Sequence, residues 1–228
     1  MTVNSQQSGR RRINVTFHGV GPQTRALEAG EDRVWLSTEQ LTAALDGIVG
    51  RTDVTVSFDD GNVSDLQVAL PALRERALLA TFFVVAGRLG SPGFLADEDV
   101  RALAAEGMTI GSHGMRHRSW RRLGDGELEE ELVGARLLLE EVVGQPVTHA
   151  AIPFGAYDRR VLQTLRSYAY QRVFTSDRGP AKSNSWLQAR NSLRKQDGQA
   201  ELEHILCPAV PSWRQFGGHA KLLVKRWR

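Results

Sequence analysis

Residues 54–62, VTVSFDDGN, carry the clearest strand signal in the chain and end in a pair of acidic residues. Apolar and hydroxyl-bearing side chains alternate up to Phe58, which is the period-two pattern of a β-strand. Two adjacent carboxylates, Asp59 and Asp60, follow at once, and Gly61 then permits a turn. Neighbouring anions repel each other unless a cation or a shared proton relieves them. The tripeptide is therefore either an ordinary Asp-Asp-Gly turn or a site of chemistry.

Strand and helix patterns alternate on both sides of this stretch. Capping boxes at Ser37 and Ser64 and a stop at Gly144 mark helix ends. Strands are predicted at residues 12–17, 54–60, 78–85, 108–112, 147–152 and 172–175, and helices at 37–49, 64–76, 97–106, 125–143, 158–167 and 199–206. This alternation favours a parallel sheet with helices outside it.

Polar residues recur where the predicted strands end. They are His18, the Asp59–Asp60 pair, His113 and the turn at 153–155. In parallel sheets and barrels, reactive groups gather at the carboxyl ends of strands. We therefore expect these residues to face one cavity, although they are far apart in the sequence.

Composition limits the classes of protein that fit. The chain has 228 residues, 41% of them hydrophobic, and a net charge of +3, so it has enough apolar residues for a packed core. Residues 1–12 are predicted to be a disordered basic tail that precedes a single domain of residues 13–228. The basic residues cluster at the two ends without a nucleic-acid-binding motif, so solvated tails are favoured over nucleic-acid binding.

Cysteine usage and hydropathy indicate a compartment. Cys207 is the single cysteine, which excludes an internal disulfide and fits a reducing environment. No apolar run approaches the ~18 residues of a transmembrane segment, and the first twelve residues lack the apolar core of a secretory signal. A cytoplasmic location is the expectation.

Two imidazoles four residues apart, His113 and His117, have a spacing that allows both to reach one ion. Glycines at 111 and 114 favour a loop after a strand over a helix. Two histidines and one carboxylate form a frequent catalytic metal site. Asp60 could supply that carboxylate, which would leave Asp59 as a candidate general base.

Three motifs in order make the chain similar to the polysaccharide deacetylases, carbohydrate esterase family four. SFDDG (57–61) is close to the family's TFDDG, and GSHGMRH (111–117) resembles its His-Ser/Thr-x-x-His, with Gly114 where Ser or Thr is usual. AIPFGAYD (151–158) looks like the motif Arg-x-Pro-Tyr/Phe, and FHG (17–19) resembles the family's first strand. The resemblance covers residues 13–195 and implies a single-domain distorted (β/α) barrel of about seven parallel strands with outer helices.

The resemblance also implies roles for individual residues. Asp59 would be the catalytic base, and a divalent ion, with zinc expected and cobalt or manganese as alternatives, would be held by Asp60, His113 and His117. The residues implied to contact the substrate or its oxyanion are Pro153, Phe154 and His18. The backbone N–H of Phe154 would donate a hydrogen bond to the oxyanion.

Two departures from the family pattern concern the residues that act as general acid and general base. Ala151 stands where the third motif carries the arginine that orients and tunes the base. Two consequences stay open: Asp59 keeps a pKa that is lowered less, or another cation substitutes. Leu202-Glu203-His204 matches the letters of the fifth motif, which makes His204 the implied general acid.

The expected function is metal-dependent removal of N-acetyl groups from an amino sugar in a poly- or oligosaccharide or a lipid-linked sugar. Metal-activated water would attack the acetyl carbonyl group, with Asp59 as the general base. Two alternatives stay open: a related C–N hydrolase acting on a non-sugar amide or a formylated sugar, and a non-catalytic carbohydrate-binding homologue. A carbohydrate is the expected partner, nucleic acid is not, and the sequence gives no oligomeric state.

Overall fold

The alternation of strands and helices predicted from the sequence is present in the computed structural model, which describes residues 9–207. The strands are β1 (Arg11–Phe17), β2 (Val54–Asp60), β3 (Ala80–Val84), β4 (Thr109–Ser112), β5 (His149–Ala151), β6 (Arg172–Thr175), β7 (Ala181–Lys182), β8 (Leu187–Ala189) and β9 (Asn191–Ser192). All six predicted strands form, and the last three are additions from a stretch whose pattern is weak.

Helices occupy most of the connections between strands. They are α1 (Thr38–Asp46), α2 (Leu70–Arg74), α3 (Asp97–Ala105), α4 (Asp125–Glu129), α5 (Ala135–Val143), α6 (Arg159–Ser167) and α7 (Gln199–Leu206). One π-helical turn, Asp65–Ala69, precedes α2, and a second, Glu130–Gly134, joins α4 to α5. No described helix combines the length and the apolar character needed to cross a membrane.

The sheet curls into a nearly closed barrel, which confirms the fold predicted from the family resemblance. Strands run in the order β7-β1-β2-β3-β4-β5-β6-β8, and β9 pairs with β1 at the other end. All pairs are parallel except β1 with β7. Because β8 and β9 are separated only by Arg190, they act as two halves of a seventh strand that joins the ends of the sheet.

Strand β2 shows why the barrel has two different faces. Its residues Val54, Val56 and Phe58 belong to the main apolar core, which includes buried residues of α1 and α2. Ser57 faces the opposite way and lies 3.0 Å from the hydroxyl of Thr16 on β1. The alternation therefore places an apolar layer between sheet and helices, and hydrogen-bonding side chains inside the barrel.

Several local predictions need correction. Ser64 does not cap a helix, because its hydroxyl accepts a hydrogen bond from Val20 N at 3.3 Å instead. Strand β1 begins at Arg11, where pairing with β7 orders the backbone, so the predicted tail of residues 1–12 ends earlier than expected. The rest of that tail up to residue 8, and the basic residues after 207, lie outside the described part of the chain.

We expect Phe82→Ala to lower the free energy of unfolding by about 3–5 kcal/mol, because it removes a fully buried ring from the core. Phe82 is 0% exposed, and its ring stacks on Phe58 with centroids 5.0 Å apart. Urea denaturation measures the change. Leu79→Ala is the control: this side chain is 67% exposed, and the expected change is within about 0.5 kcal/mol. Equal losses in the two variants would contradict this description of the core.

Candidate active site

A cavity of about 230 Å³ opens at the carboxyl ends of the strands. Its lining includes most of the residues predicted from the sequence, together with part of the loop that follows β1. The described residues that line it are His18, Glu28, Ala29, Gly30, Glu31, Val34, Asp59, Asp60, His113, His117, Ile152, Phe154 and Ser176. Residues separated by more than a hundred positions in the chain thus face one space, as predicted.

Three of these residues form a group that could hold a metal ion. The Oδ1 atom of Asp60 lies 3.2 Å from His117 Nε2 and 3.6 Å from His113 Nε2. One ligand atom from each of the three residues lies within 4.8 Å of the other two. Asp60 Oδ1 is buried and has no hydrogen-bond partner among the described residues. A buried, unpartnered carboxylate oxygen facing two imidazole nitrogens fits a divalent cation.

The neighbours of His113 prepare it to act as a ligand. Its Nδ1 lies 2.9 Å from the carbonyl oxygen of Ala151, so Nδ1 carries the proton and Nε2 presents its lone pair to Asp60. Burial lowers the pKa of His113 to about 4, although Asp59 opposes the shift. The ring is therefore neutral near pH 7, which is the form that binds metal ions.

Asp59 forms a buried, two-pronged ion pair with Arg190. The two terminal guanidinium nitrogens donate to the two carboxylate oxygens, each at 2.6 Å, and both residues are at most 2% exposed. Burial alone would raise the pKa of Asp59, but the charge and the hydrogen bonds of Arg190 outweigh burial and hold this pKa well below its usual range. Asp59 is therefore an ionised carboxylate beside the metal-ligand group, with His113 Nε2 3.9 Å away.

Arg190 was not assigned to the site by the sequence reasoning, which left open whether another cation replaces the arginine missing at position 151 or Asp59 has a less lowered pKa. Its guanidinium lies over Phe83 and Phe174, at 5.1 and 5.9 Å from the ring centroids. Ala151 belongs to the same cluster as these two rings. The cation thus reaches Asp59 from the junction of β8 and β9 and not from β5. The sequence signal that could have identified Arg190 was a strand-like stretch with this arginine at its centre, LQARNSL (187–193).

Three residues of the cavity have left-handed backbone conformations that non-glycine residues rarely adopt. They are Asp60 (φ 80°), His117 (φ 49°) and Phe154 (φ 56°). Each such conformation costs about 1–3 kcal/mol and persists only where the surroundings impose it. These backbone positions therefore depend on tertiary contacts and are not preferred locally.

The loop between β1 and α1, which is rich in glycine and charged residues, forms one wall of the cavity. Its Glu28 carries a carboxylate oxygen 3.4 Å from His117 Nδ1, on the side of the ring opposite to Asp60. Arg88 contacts the other oxygen of Glu28, and Arg25 pairs with Glu31 and donates to Asn62 at 2.6 Å. The loop is thus tied both to a metal-ligand candidate and to the turn after β2.

The other predicted site residues divide into two groups. His18 and Phe154 line the cavity, with His18 Nε2 4.0 Å from Asp59 and the Phe154 ring 4.7 Å from that of His117. Pro153 is buried at the start of the same short turn. His204 is exposed on α7 and is not among the residues that line the cavity. The structure therefore does not bring the predicted general acid to the site, since its helix packs against α1 on the outside of the barrel.

A sequence model described as polysaccharide deacetylase matches residues 46–173, more than half of the chain. The chain belongs to the polysaccharide deacetylase family. The matched region contains Asp59, Asp60, His113 and His117, and the family resemblance of the three motifs is confirmed.

Individual members of the deacetylase family are distant relatives of this chain. It is 26% identical over 147 residues to YxkH of Bacillus subtilis, and 28% identical over 124 residues to a peptidoglycan-N-acetylglucosamine deacetylase of Bacillus cereus. These matches cover 64% and 54% of this chain and 53% and 56% of the relatives. The chain thus spans about half the length of the curated relatives it matches.

A solved structure supports the assignment of the fold. BC0361, a polysaccharide deacetylase from Bacillus cereus, superposes with a TM-score of 0.76 at 18% identity, covering 87% of this chain and 70% of that one. At this identity the likeness concerns the fold, which agrees with the barrel described above.

We expect Arg190→Gln to lower the free energy of unfolding at neutral pH by about 3–5 kcal/mol, because it leaves a buried carboxylate without its cation. The difference from the wild type should shrink in acid: a carboxyl with a lowered pKa stabilises the fold only while it is ionised. Urea denaturation at several pH values measures both effects.

Arg116→Gln is the matched control for this substitution. Arg116 pairs with Glu130 on the surface, and loss of such a pair costs about 0–1 kcal/mol. A loss for Arg190→Gln no larger than that of the control would contradict the buried ion pair.

Proposed function

We propose that the protein is a divalent-metal-dependent hydrolase that removes N-acetyl groups from an amino sugar in a poly- or oligosaccharide or a lipid-linked sugar. The observation that carries the proposal is an ionised Asp59 beside the Asp60–His113–His117 group in one cavity. Family membership supports the deacetylase chemistry. The relative named as a peptidoglycan-N-acetylglucosamine deacetylase supports an amino-sugar substrate.

Asp60, His113 and His117 would hold the ion, and two imidazoles with one carboxylate favour zinc. When bound, the ion supplies Lewis acidity toward the acetyl carbonyl and toward water. Three protein ligands leave further coordination positions open, which is typical of catalytic rather than structural zinc sites.

Asp59 is the general base in this proposal. As water attacks the carbonyl carbon, one of its protons passes to a carboxylate oxygen of Asp59. Arg190 has two roles: it keeps Asp59 ionised, and its two-pronged hydrogen bonds fix the plane of the carboxylate. Because Arg190 is itself buried against Phe83 and Phe174, this orientation is set before the substrate arrives.

Departure of the amine requires a proton on the sugar nitrogen as the C–N bond breaks. Since His204 lies outside the cavity, we assign this proton to His18, which lines the cavity next to Asp59. Phe154 follows β5 in a tight turn at the cavity edge, and its backbone N–H is the proposed donor to the oxyanion. The 65% exposed Phe154 ring gives a sugar an apolar surface at the entrance.

Zinc-loaded protein is expected to release acetate from N-acetylglucosamine oligomers. The substitution Asp59→Asn should reduce the rate of acetate release by about 10²- to 10⁴-fold, which is the usual contribution of a general base. Zinc affinity should be unchanged in this variant, because Asp59 is not a ligand. Acetate is measured enzymatically and zinc affinity by competition with a chromophoric chelator. Asp53→Asn, at the opposite end of β2, is the control and should retain full activity.

The possible results of this assay discriminate between the functions. Equal rates in wild type and Asp59→Asn would contradict the assignment of the base. No acetate from wild-type protein holding one zinc per chain would contradict the proposed substrate and favour a different amide.

His18→Asn is expected to lower kcat by about 10²-fold or more, because the leaving amine then lacks its proton donor. The matched control is His204→Asn, which removes the exposed imidazole on α7. If His204→Asn lost activity and His18→Asn kept it, the roles assigned to these two histidines would be reversed.

A further inference from the structure

Glu131 is a buried carboxylate that no sequence motif singled out. It is 0% exposed, yet it lies in the apolar stripe of the helix after β4, next to Leu132. A charge in such a place is costly unless hydrogen bonds surround it. Four donors do so, and all of them come from the segment that follows His113.

The four donors converge on the two oxygens of Glu131. Its Oε2 accepts from the backbone N–H of Met115 at 2.9 Å, the backbone N–H of Arg116 at 3.3 Å and the indole N–H of Trp120 at 3.3 Å. Its Oε1 accepts from Nε of Arg118 at 3.0 Å. These residues flank His117 on both sides, so a single side chain fixes the loop that carries the second imidazole.

The opposite edge of the same loop is held by backbone groups. The carbonyl of Gly114 accepts from Ala86 N at 2.9 Å, and that of Met115 accepts from Gly87 N at 3.0 Å. The loop is therefore clamped between the turn after β3 and the carboxylate of Glu131. This clamp gives a physical reason why His117 keeps its left-handed backbone.

The clamp also accounts for the glycine found where related motifs have Ser or Thr. A Cβ atom on Gly114 would lie 2.6 Å from Glu131 Oε2 and 3.0 Å from the indole nitrogen of Trp120. The φ of Gly114 is +82°, which also disfavours a side chain. Glu131 thus fills the space that a larger residue at position 114 would need.

A local break in helix geometry accompanies this side chain. Residues Glu130–Gly134 form a π-helical turn between α4 and α5. Such single turns often occur at functional sites. Here Glu130 remains exposed while Glu131 is buried under the loop.

We propose that Glu131 is a positioning residue for the metal site: it holds loop 114–120 so that His117 meets Asp60 and His113 in binding geometry. The inference rests on the metal site of the proposed function. Glu131 touches no ligand atom, and its effect is on the conformation of the unloaded site. A site held in place before the ion arrives binds it more tightly than one that must be ordered on binding.

The test measures zinc affinity of the full chain by competition with a chromophoric chelator, with wild type, Glu131→Gln and Glu130→Gln compared. In Glu131→Gln the amide oxygen can serve only one of the two acceptor positions, so an NH₂ group faces either Arg118 or the backbone N–H groups. We expect the zinc Kd to rise by about 10- to 100-fold, as for residues that orient metal ligands.

Glu130→Gln is matched in chemistry and in helix position, and it breaks an exposed contact to the same loop through Arg116. Its zinc Kd should equal that of the wild type. Circular dichroism and thermal unfolding without zinc report the stability of each variant separately. Should Glu131→Gln not fold, Trp120→Phe keeps an aromatic ring at this buried position, removes the indole donor to Glu131 together with part of the ring volume, and should weaken zinc binding to a smaller but measurable extent.

A folded Glu131→Gln protein with lower thermal stability but wild-type zinc affinity would overturn the inference and leave Glu131 a purely structural residue. An unchanged Kd in Trp120→Phe, used when Glu131→Gln does not fold, would overturn it as well. Wild-type protein that binds no zinc would overturn the metal site and this inference together. Wild-type protein that binds zinc but releases no acetate would contradict only the proposed reaction, and the Kd comparison would still decide the role of Glu131.

Discussion

The buried pair of Asp59 and Arg190 is the interaction on which the rest of the site depends. Two charges removed from water at the end of a barrel are tolerable only because each neutralises the other with near-ideal geometry. The pair also joins the two ends of the sheet, since Arg190 lies between the half-strands that pair with β6 and β1. One contact therefore keeps the carboxylate ionised and links the seventh strand to β2. The polar interior beneath it, including the 3.2 Å hydrogen bond from Arg190 to Ser57, follows from the same requirement.

The metal-ligand group is held in place by hydrogen bonds between different segments of the chain and not by an ion pair. Asp60 and His117 both have left-handed backbone conformations that are uncommon for residues other than glycine, and Phe154 beside them does too. The surrounding structure supplies the stabilisation through hydrogen bonds between segments: His113 N to Val84 O at 2.8 Å, Leu95 N to Gly61 O at 2.9 Å, and the Glu131 clamp around His117. Three of the seven described non-glycine residues with positive φ thus face the cavity, and the contacts that support them lie one layer further out.

Much of the fold and part of the site were predictable because their signals are local. The alternation in VTVSFDDGN predicts β2, Asp158 caps α6 as its type suggests, and Gly144 ends α5 in the left-handed conformation. The Asp-Asp pair and the His pair each sit at a strand end, so their meeting follows from the parallel order of the sheet. The predicted cap at Ser64 failed because its hydroxyl has a tertiary partner, Val20 N. The match at His204 did not indicate its position outside the cavity, because a three-letter match carries no information about which side of α7 faces the barrel.

The order of the first six strands and their helices, the family, and the cavity residues Asp59, Asp60, His113 and His117 were predictable from the amino-acid sequence, because short spacings and the polarity of neighbouring positions indicate them. The cation that pairs with Asp59 and the anion that holds the His117 loop became known only from the folded chain. Arg190 is 131 positions from Asp59 in the chain, and Glu131 is a charged residue in an otherwise apolar helix stripe. Neither residue belongs to a sequence pattern that reveals its burial. A buried charge can be identified only together with its partner, and the partner comes near it only when the barrel closes.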